Sequence, residues 1–337
     1  MEFFGFSFFG TLNDGALMAI AAVIFVVGLC LTIKGGDWFV DSASWFAEAT
    51  GIPKFVVGAT VVSFATTLPE LLVSVRAAMN GSAQLAIGNA IGSVTANTTL
   101  IMGVSLVAMA GVIGRKEFSL KGGLLLAAIV GLTALSFGGV LPQWSAFVLW
   151  AIFIIFMVSN LIEGKKSASL EKSDSYEKKE IPSKVLFFVL GTASIVFGAE
   201  FLVSSGKTLA AGFGVSEAII GFTVIALGTS LPELVTTLTA IRKKENSLSV
   251  GNIIGANIID ATLILPLCAV INGQALPVEK INLNFDFPVC IAACAVAIIP
   301  TVIQGRFKKW QGYALLAIYA LYMLFLVLNE TGVVALG

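Results

Sequence analysis

Apolar residues along this chain come in long runs, not in the short periodic stretches of a water-soluble fold. Runs near residues 15–35, 53–78, 84–112, 119–138 and 143–162, and again near 185–206, 215–241, 247–271, 286–304 and 311–328, are predominantly apolar. Each approaches or exceeds the roughly 20 residues that a helix needs to cross a hydrocarbon core. Because lipid offers the backbone no hydrogen-bond partners, such runs must satisfy their own amides, and the helix does so within one segment. The pattern predicts an all-α integral membrane protein with about ten transmembrane helices.

The polar positions then divide the chain. Gly164 to Lys184, with Lys165, Lys166, Lys172, Lys178, Lys179 and Lys184, is the only long polar stretch between runs and reads as a solvated cytoplasmic linker. It separates a first five-helix unit, residues 1–163, from a second, residues 185–337. Basic residues recur at every second connection: Arg115, Lys116 and Lys121, then the linker, then Arg242, Lys243 and Lys244, then Arg306, Lys308 and Lys309. Alternate connections, such as Gly138 to Gln143, carry few or none. Since Lys and Arg accumulate on the cytoplasmic side, this spacing predicts a multi-pass protein of the plasma (cytoplasmic) membrane with both termini outside. An odd number of spans per half means that the halves run through the membrane in opposite senses.

Composition changes the picture only by exclusion. With 57% hydrophobic and 12% charged residues among 337, and a mean hydropathy of +0.97, a soluble fold cannot bury its apolar surface. A net charge of zero gives no reason to expect nucleic acid. Histidine is absent, which removes the commonest general base and zinc ligand. Cys30, Cys268, Cys290 and Cys294 stand in apolar runs without metal-ligand spacing, as small buried apolar side chains do. The segment Met1 to Gly15 contains Glu2 and Asp14 but no Lys or Arg, so the first apolar run is expected to stay in the mature chain.

The two halves repeat each other at a constant offset of 163 residues, without a gap. Gly58, Thr60, Val61, Thr66, Leu68, Pro69, Glu70 and Leu71 meet Gly221, Thr223, Val224, Thr229, Leu231, Pro232, Glu233 and Leu234. Gly88, Asn89, Ile91, Gly92, Thr99 and Leu100 meet Gly251, Asn252, Ile254, Gly255, Thr262 and Leu263, and Asp37 falls opposite Glu200. Coincident Thr, Pro, Glu and Asn in one register do not arise from shared apolar composition.

Chemistry concentrates where the repeats agree best. Thr66, Thr67 and Glu70 stand at i, i+1 and i+4, which on a helix places both hydroxyls near one face with the carboxylate, and Thr229, Ser230 and Glu233 repeat the arrangement. Pro69 and Pro232 cannot donate to the carbonyls of Ala65 and Gly228, so both helices are expected to distort in mid-membrane and free backbone oxygens for a cation. Gly88 to Gly92 and Gly251 to Gly255 predict glycine-rich breaks in spans three and eight. Ser93 and Asn97 follow in the first half, Ala256 and Asp260 at the matching places in the second. A carboxylate at the bilayer centre costs at least about 2.5–3.5 kcal/mol, so Glu70, Glu233 and Asp260 call for a compensating partner. Oxygen donors without nitrogen or sulfur suit a hard cation such as calcium.

At these residues the chain resembles the cation/calcium exchanger superfamily, particularly prokaryotic sodium/calcium exchangers. Gly58 to Leu71 with Gly88 to Leu100, and Gly221 to Leu234 with Gly251 to Leu263, resemble that family's two α-repeats. The resemblance implies a calcium site made by Glu70, Glu233 and oxygens of Thr66 and Thr229. It implies sodium sites using Thr67, Ser230, Ser93, Asn97, Asp260 and the carbonyls of Ser63 and Ala226. Ala256 departs from it, because a second serine is expected there. The implied activity is exchange of calcium for sodium by alternating access, with no resident cofactor and with the chain working as a monomer. Three sodium ions would neutralise three carboxylates where one calcium would not, which leaves room for a proton or potassium at Asp260. A calcium/proton antiporter of the same superfamily is the alternative; a channel or an intramembrane enzyme fits the inverted repeats and the missing histidine less well.

Overall fold

The computed structural model describes residues 2–3, 6–7, 14–111, 115–170, 178–213 and 228–330. Over these residues the chain is built of helices α1 (Gly15–Thr50), α3 (Gln84–Met109), α4 (Phe118–Leu135), α5 (Ser145–Ser169), α6 (Ile181–Gly212), α8 (Asn246–Ile271), α9 (Asn282–Gln304) and α10 (Lys309–Asn329), each long and apolar enough to cross a membrane. Between α1 and α3, Lys54–Thr66 (α2a) and Leu68–Met79 (α2b) form a ninth span bent by 48°. Leu231–Arg242 (α7) is the second-half equivalent of α2b. The first part of the seventh expected span, 215–241, lies outside the described residues, which resume at Gly228.

Burial sorts these helices into a core and a jacket. The most apolar windows of α3 and α8 are 78% and 83% buried, against 17% and 22% for α1 and α6, so α3 and α8 form the centre. Helix α8 lies along α2a with almost no side chain between them. A Cβ on Gly251 would fall 2.2 Å from the Phe55 carbonyl oxygen, and one on Gly58 2.3 Å from that of Leu248. The glycines expected to break spans three and eight therefore do something else. Both helices run continuously through Gly88–Gly92 and Gly251–Gly255, and in α8 the missing side chains admit a neighbouring backbone.

The real irregularities in α3 and α8 come later, as single π-turns at Asn97–Ile101 and Asp260–Ile264. They obey the 163-residue offset and begin at Asn97 and Asp260. A π-turn shifts the helix register and re-aims the side chain at its start.

The first helices of the halves form a separate pair. Gly28 packs on the Gly198 carbonyl and Gly35 on that of Gly191, each leaving 2.9 Å for a Cβ. Low numbers meet high ones, so α1 and α6 run in opposite directions. The four glycines themselves obey the repeat offset, placing an approximate twofold axis between the two helices.

Ion pairs tie α1 to the end of α7 and to the residue that follows it. Helix α1 continues well past the apolar run ending near residue 35, to Thr50, and its Asp37 and Asp41 engage the end of α7. Asp37 pairs with Arg242, and Lys243 lies 2.6 Å from Asp41 and 3.6 Å from Asp37. Lys54 bridges Glu48 at 2.8 Å and Glu245 at 2.7 Å. The polar stretch from Gly164 is partly helical: one helix continues to Leu170 and the next begins at Ile181, after a turn whose Glu180 accepts from Trp45 Nε1 at 3.0 Å. Lys121, expected in a basic connection, is instead buried on a helix, 2.6 Å from Glu163 and 4.7 Å above the Phe55 ring.

Candidate cation site

Glu70 and Glu233 occupy the first turns of α2b and α7, following breaks at Thr67 and Ser230. The break residues have matching backbone angles, φ −85° and ψ 6° at Thr67, φ −84° and ψ 5° at Ser230. Pro69 and Pro232, near the start of each new helix, lack the N–H that would continue the preceding one. Each carboxylate thus sits in the first turn of its helix, at the positive end of the helix dipole.

The hydroxyls expected to share a face with their own glutamate reach across to the other half. Thr67 Oγ1 donates to Glu233 Oε1 at 3.1 Å, and Ser230 Oγ donates to Glu70 Oε1 at 3.4 Å. Thr66 Oγ1 lies 3.1 Å from Asn252 Oδ1, and Thr229 Oγ1 3.2 Å from Asn89 Oδ1. The break changes the helical phase between the hydroxyls and the carboxylate, so the i, i+4 relation of a straight helix no longer holds.

Both glutamates are fully buried, and in each the second oxygen, Oε2, has no hydrogen-bond partner. Asp260 is fully buried with neither carboxylate oxygen partnered, and Asn97 is buried with neither amide atom partnered. Unpartnered oxygens are costly in an apolar interior unless something else binds them. Among the described residues no three Asp, Glu or Cys side chains converge on one metal position, so a cation between the glutamates must complete its shell from hydroxyls and carbonyls.

Two further expected residues, Ser93 and Ser63, lie beside these groups. Ser93 lies with its Oγ 3.4 Å from Thr229 Oγ1. Ser63 is buried, its hydroxyl donating to the Thr60 carbonyl at 2.9 Å and its own carbonyl accepting from Thr67 N at 2.9 Å. Ala226 lies outside the described residues. Asn89 and Asn252, which the sequence marks only as members of the repeat, are direct partners of Thr229 and Thr66; their shared offset of 163 is the signal that finds them.

The profile of the sodium/calcium exchanger protein family matches residues 20–162 and 183–328. The chain belongs to the sodium/calcium exchanger family. Among its relatives, an uncharacterized membrane protein of Methanocaldococcus jannaschii is 30% identical over 90% of this chain and 97% of its own length. The sodium/calcium exchanger MaX1 of Methanosarcina acetivorans is 31% identical over 92% of this chain and 99% of its own. The solved structure of the sodium-calcium exchanger NCX_Mj, soaked with sodium and without calcium, superposes with a TM-score of 0.82 at 28% identity, covering 91% of this chain and 99% of that one. An exchanger is a transporter, and no enzymatic activity is indicated.

Proposed function

We propose that this chain exchanges calcium for sodium across the cytoplasmic membrane by alternating access, through one central site shared by its two halves. The observation that carries this reading is the crossed pair Thr67 to Glu233 and Ser230 to Glu70, which leaves an unpartnered oxygen on each glutamate. Calcium is held by Glu70 and Glu233 with oxygens of Thr66 and Thr229. Sodium uses Thr67, Ser230, Ser93, Asn97, Asp260 and the carbonyls of Ser63 and Ala226. The units 1–163 and 185–337 act as inverted halves joined by 164–184, with both termini outside and the chain working as a monomer.

Exchange follows from electrostatics. An empty site leaves buried carboxylates uncompensated in mid-membrane, so the protein changes access mainly when loaded. Calcium leaves three ionised carboxylates one charge short, and Asp260 takes a proton or a potassium ion in that state.

The test is uptake of calcium-45 into vesicles carrying the purified protein. An outward sodium gradient drives uptake, and Glu70→Gln or Glu233→Gln abolishes it. A pH gradient alone driving equal uptake would replace this reading with a calcium/proton antiporter; undiminished uptake by both variants would remove the site.

A further inference from the structure

Asn89 and Asn252 carry no charge, yet each faces a site threonine from the opposite half. Asn89 is buried on α3. Its Nδ2 donates to Ser74 Oγ at 2.9 Å and to the Glu70 carbonyl at 3.3 Å. Those two bonds decide which way the amide lies, because only Nδ2 can donate. Oδ1 is then turned to Thr229 Oγ1, 3.2 Å away. Across the approximate twofold, Asn252 Oδ1 stands 3.1 Å from Thr66 Oγ1.

A threonine hydroxyl has one hydrogen and two lone pairs. To ligand a cation it must turn a lone pair inward and its hydrogen away, and a buried hydrogen without an acceptor costs free energy. When a cation occupies the carboxylates, each threonine hydrogen needs an acceptor that is not one of them. Asn89 Oδ1 is that acceptor for Thr229, and Asn252 Oδ1 is the nearer one for Thr66, whose alternative, the Ser63 carbonyl, is 3.4 Å away.

We infer that Asn89 and Asn252 are positioning residues that hold the hydrogens of Thr229 and Thr66 away from the ion and present the threonine oxygens to it. Neither asparagine touches the cation. The two are not equivalent: Asn252 Nδ2 has no hydrogen-bond partner, so its amide is held less firmly than that of Asn89. Ser93 adds to the difference. With the Thr229 hydrogen on Asn89, Ser93 Oγ at 3.4 Å becomes the donor to Thr229, whereas Ala256 offers Thr66 nothing comparable.

The inference rests on the exchange reading, and its test is a double-mutant cycle on calcium affinity, read as the half-saturating concentration for calcium-45 uptake by the full-length protein. Asn89→Leu raises that concentration about tenfold, the loss expected for one buried hydrogen bond to a ligand group. Thr229→Val does the same. The double variant N89L/T229V is no worse than T229V alone, because the asparagine has no hydroxyl left to hold. N89L combined with Thr66→Val multiplies the two losses, since those side chains belong to different pairs. Maximal uptake per folded molecule stays near that of the parent in N89L. A general packing role for Asn89 would make its effect multiply in both combinations and would overturn the inference. So would an unchanged half-saturating concentration in N89L. The Asn252→Leu and Thr66→Val cycle reads the same relation where fewer hydrogen bonds are removed, and serves if N89L does not fold. A parent protein that takes up no calcium overturns the exchange reading together with this one; a calcium-transporting parent with multiplying variants overturns this one alone.

Discussion

Thr67, in the first half of the chain, gives its hydroxyl hydrogen to Glu233, in the second, at 3.1 Å. Its symmetry mate Ser230 does the same for Glu70 at 3.4 Å. Each carboxylate thus takes a hydroxyl hydrogen bond from the opposite half. A hydrogen bond to a charged group contributes roughly 1.5–3 kcal/mol, so Thr67→Ala and Ser230→Ala are each expected to weaken calcium affinity by about tenfold or more. Thr67→Ser should retain parental affinity, because Ser230 already shows that serine suffices at this place. Titrations of calcium-45 uptake decide it; a Thr67→Ala protein with parental affinity would make the crossed bonds incidental.

Asn97 and Asp260 begin equivalent π-turns, and both are buried without hydrogen-bond partners, but only Asp260 brings charge. Asp260→Asn makes the two positions identical and removes one of three buried carboxylates. Calcium–calcium exchange should survive in this variant, while uptake driven by an outward sodium gradient falls to background. Equal sodium dependence in parent and variant would show that Asp260 plays no part in coupling.

Helices α1 and α6 cross at glycines whose added Cβ atoms would meet backbone. At Gly198 the nearest atoms are the Thr32 side chain at 2.8 Å and the Gly28 carbonyl at 2.9 Å. Gly198→Leu should force the helices apart and lower thermal stability in detergent, whereas Gly206→Leu, with only the Phe25 ring at 3.9 Å, should be tolerated. Melting curves of the two proteins, followed by size-exclusion chromatography, measure the difference.

Lys121 is buried and its partner Glu163 is only partly so, which makes the lysine the costly charge to leave alone. Glu163→Leu removes the counter-charge of Lys121 and should destabilise the protein by about 3–5 kcal/mol. Adding Lys121→Met should restore most of the loss, since the uncompensated charge then disappears. Thermal unfolding of the single and double variants reports this directly, and equal stability of the two would show that the cost is packing and not charge.

Much of the fold follows from one-dimensional information. A helix in lipid needs length and hydropathy, and both are properties of a contiguous segment. Of the ten apolar runs, eight meet long helices and another the bent pair among the described residues, with errors at the ends: α1 extends to Thr50 because the charges of Asp37 and Asp41 are met by Arg242 and Lys243 on another helix. The sequence puts Lys121 in a connection for the same kind of reason, since its counter-charge Glu163 is 42 residues away.

Within the site, the sequence by itself determined which residues are special. The offset of 163 picks out Glu70 with Glu233, Thr67 with Ser230 and Asn97 with Asp260, and the two prolines mark where the helices must break. What the tertiary structure decided is partnership. A straight-helix reading joins Thr67 to its own Glu70; the break rotates them out of phase, and the inverted packing of the halves brings Glu233 to Thr67 instead. Likewise the glycines of α8 admit the backbone of α2a where a break was expected. Covalent neighbours fix identity and local geometry, but a hydrogen bond between residues 166 positions apart depends on how two helices pass each other, and no local pattern carries that.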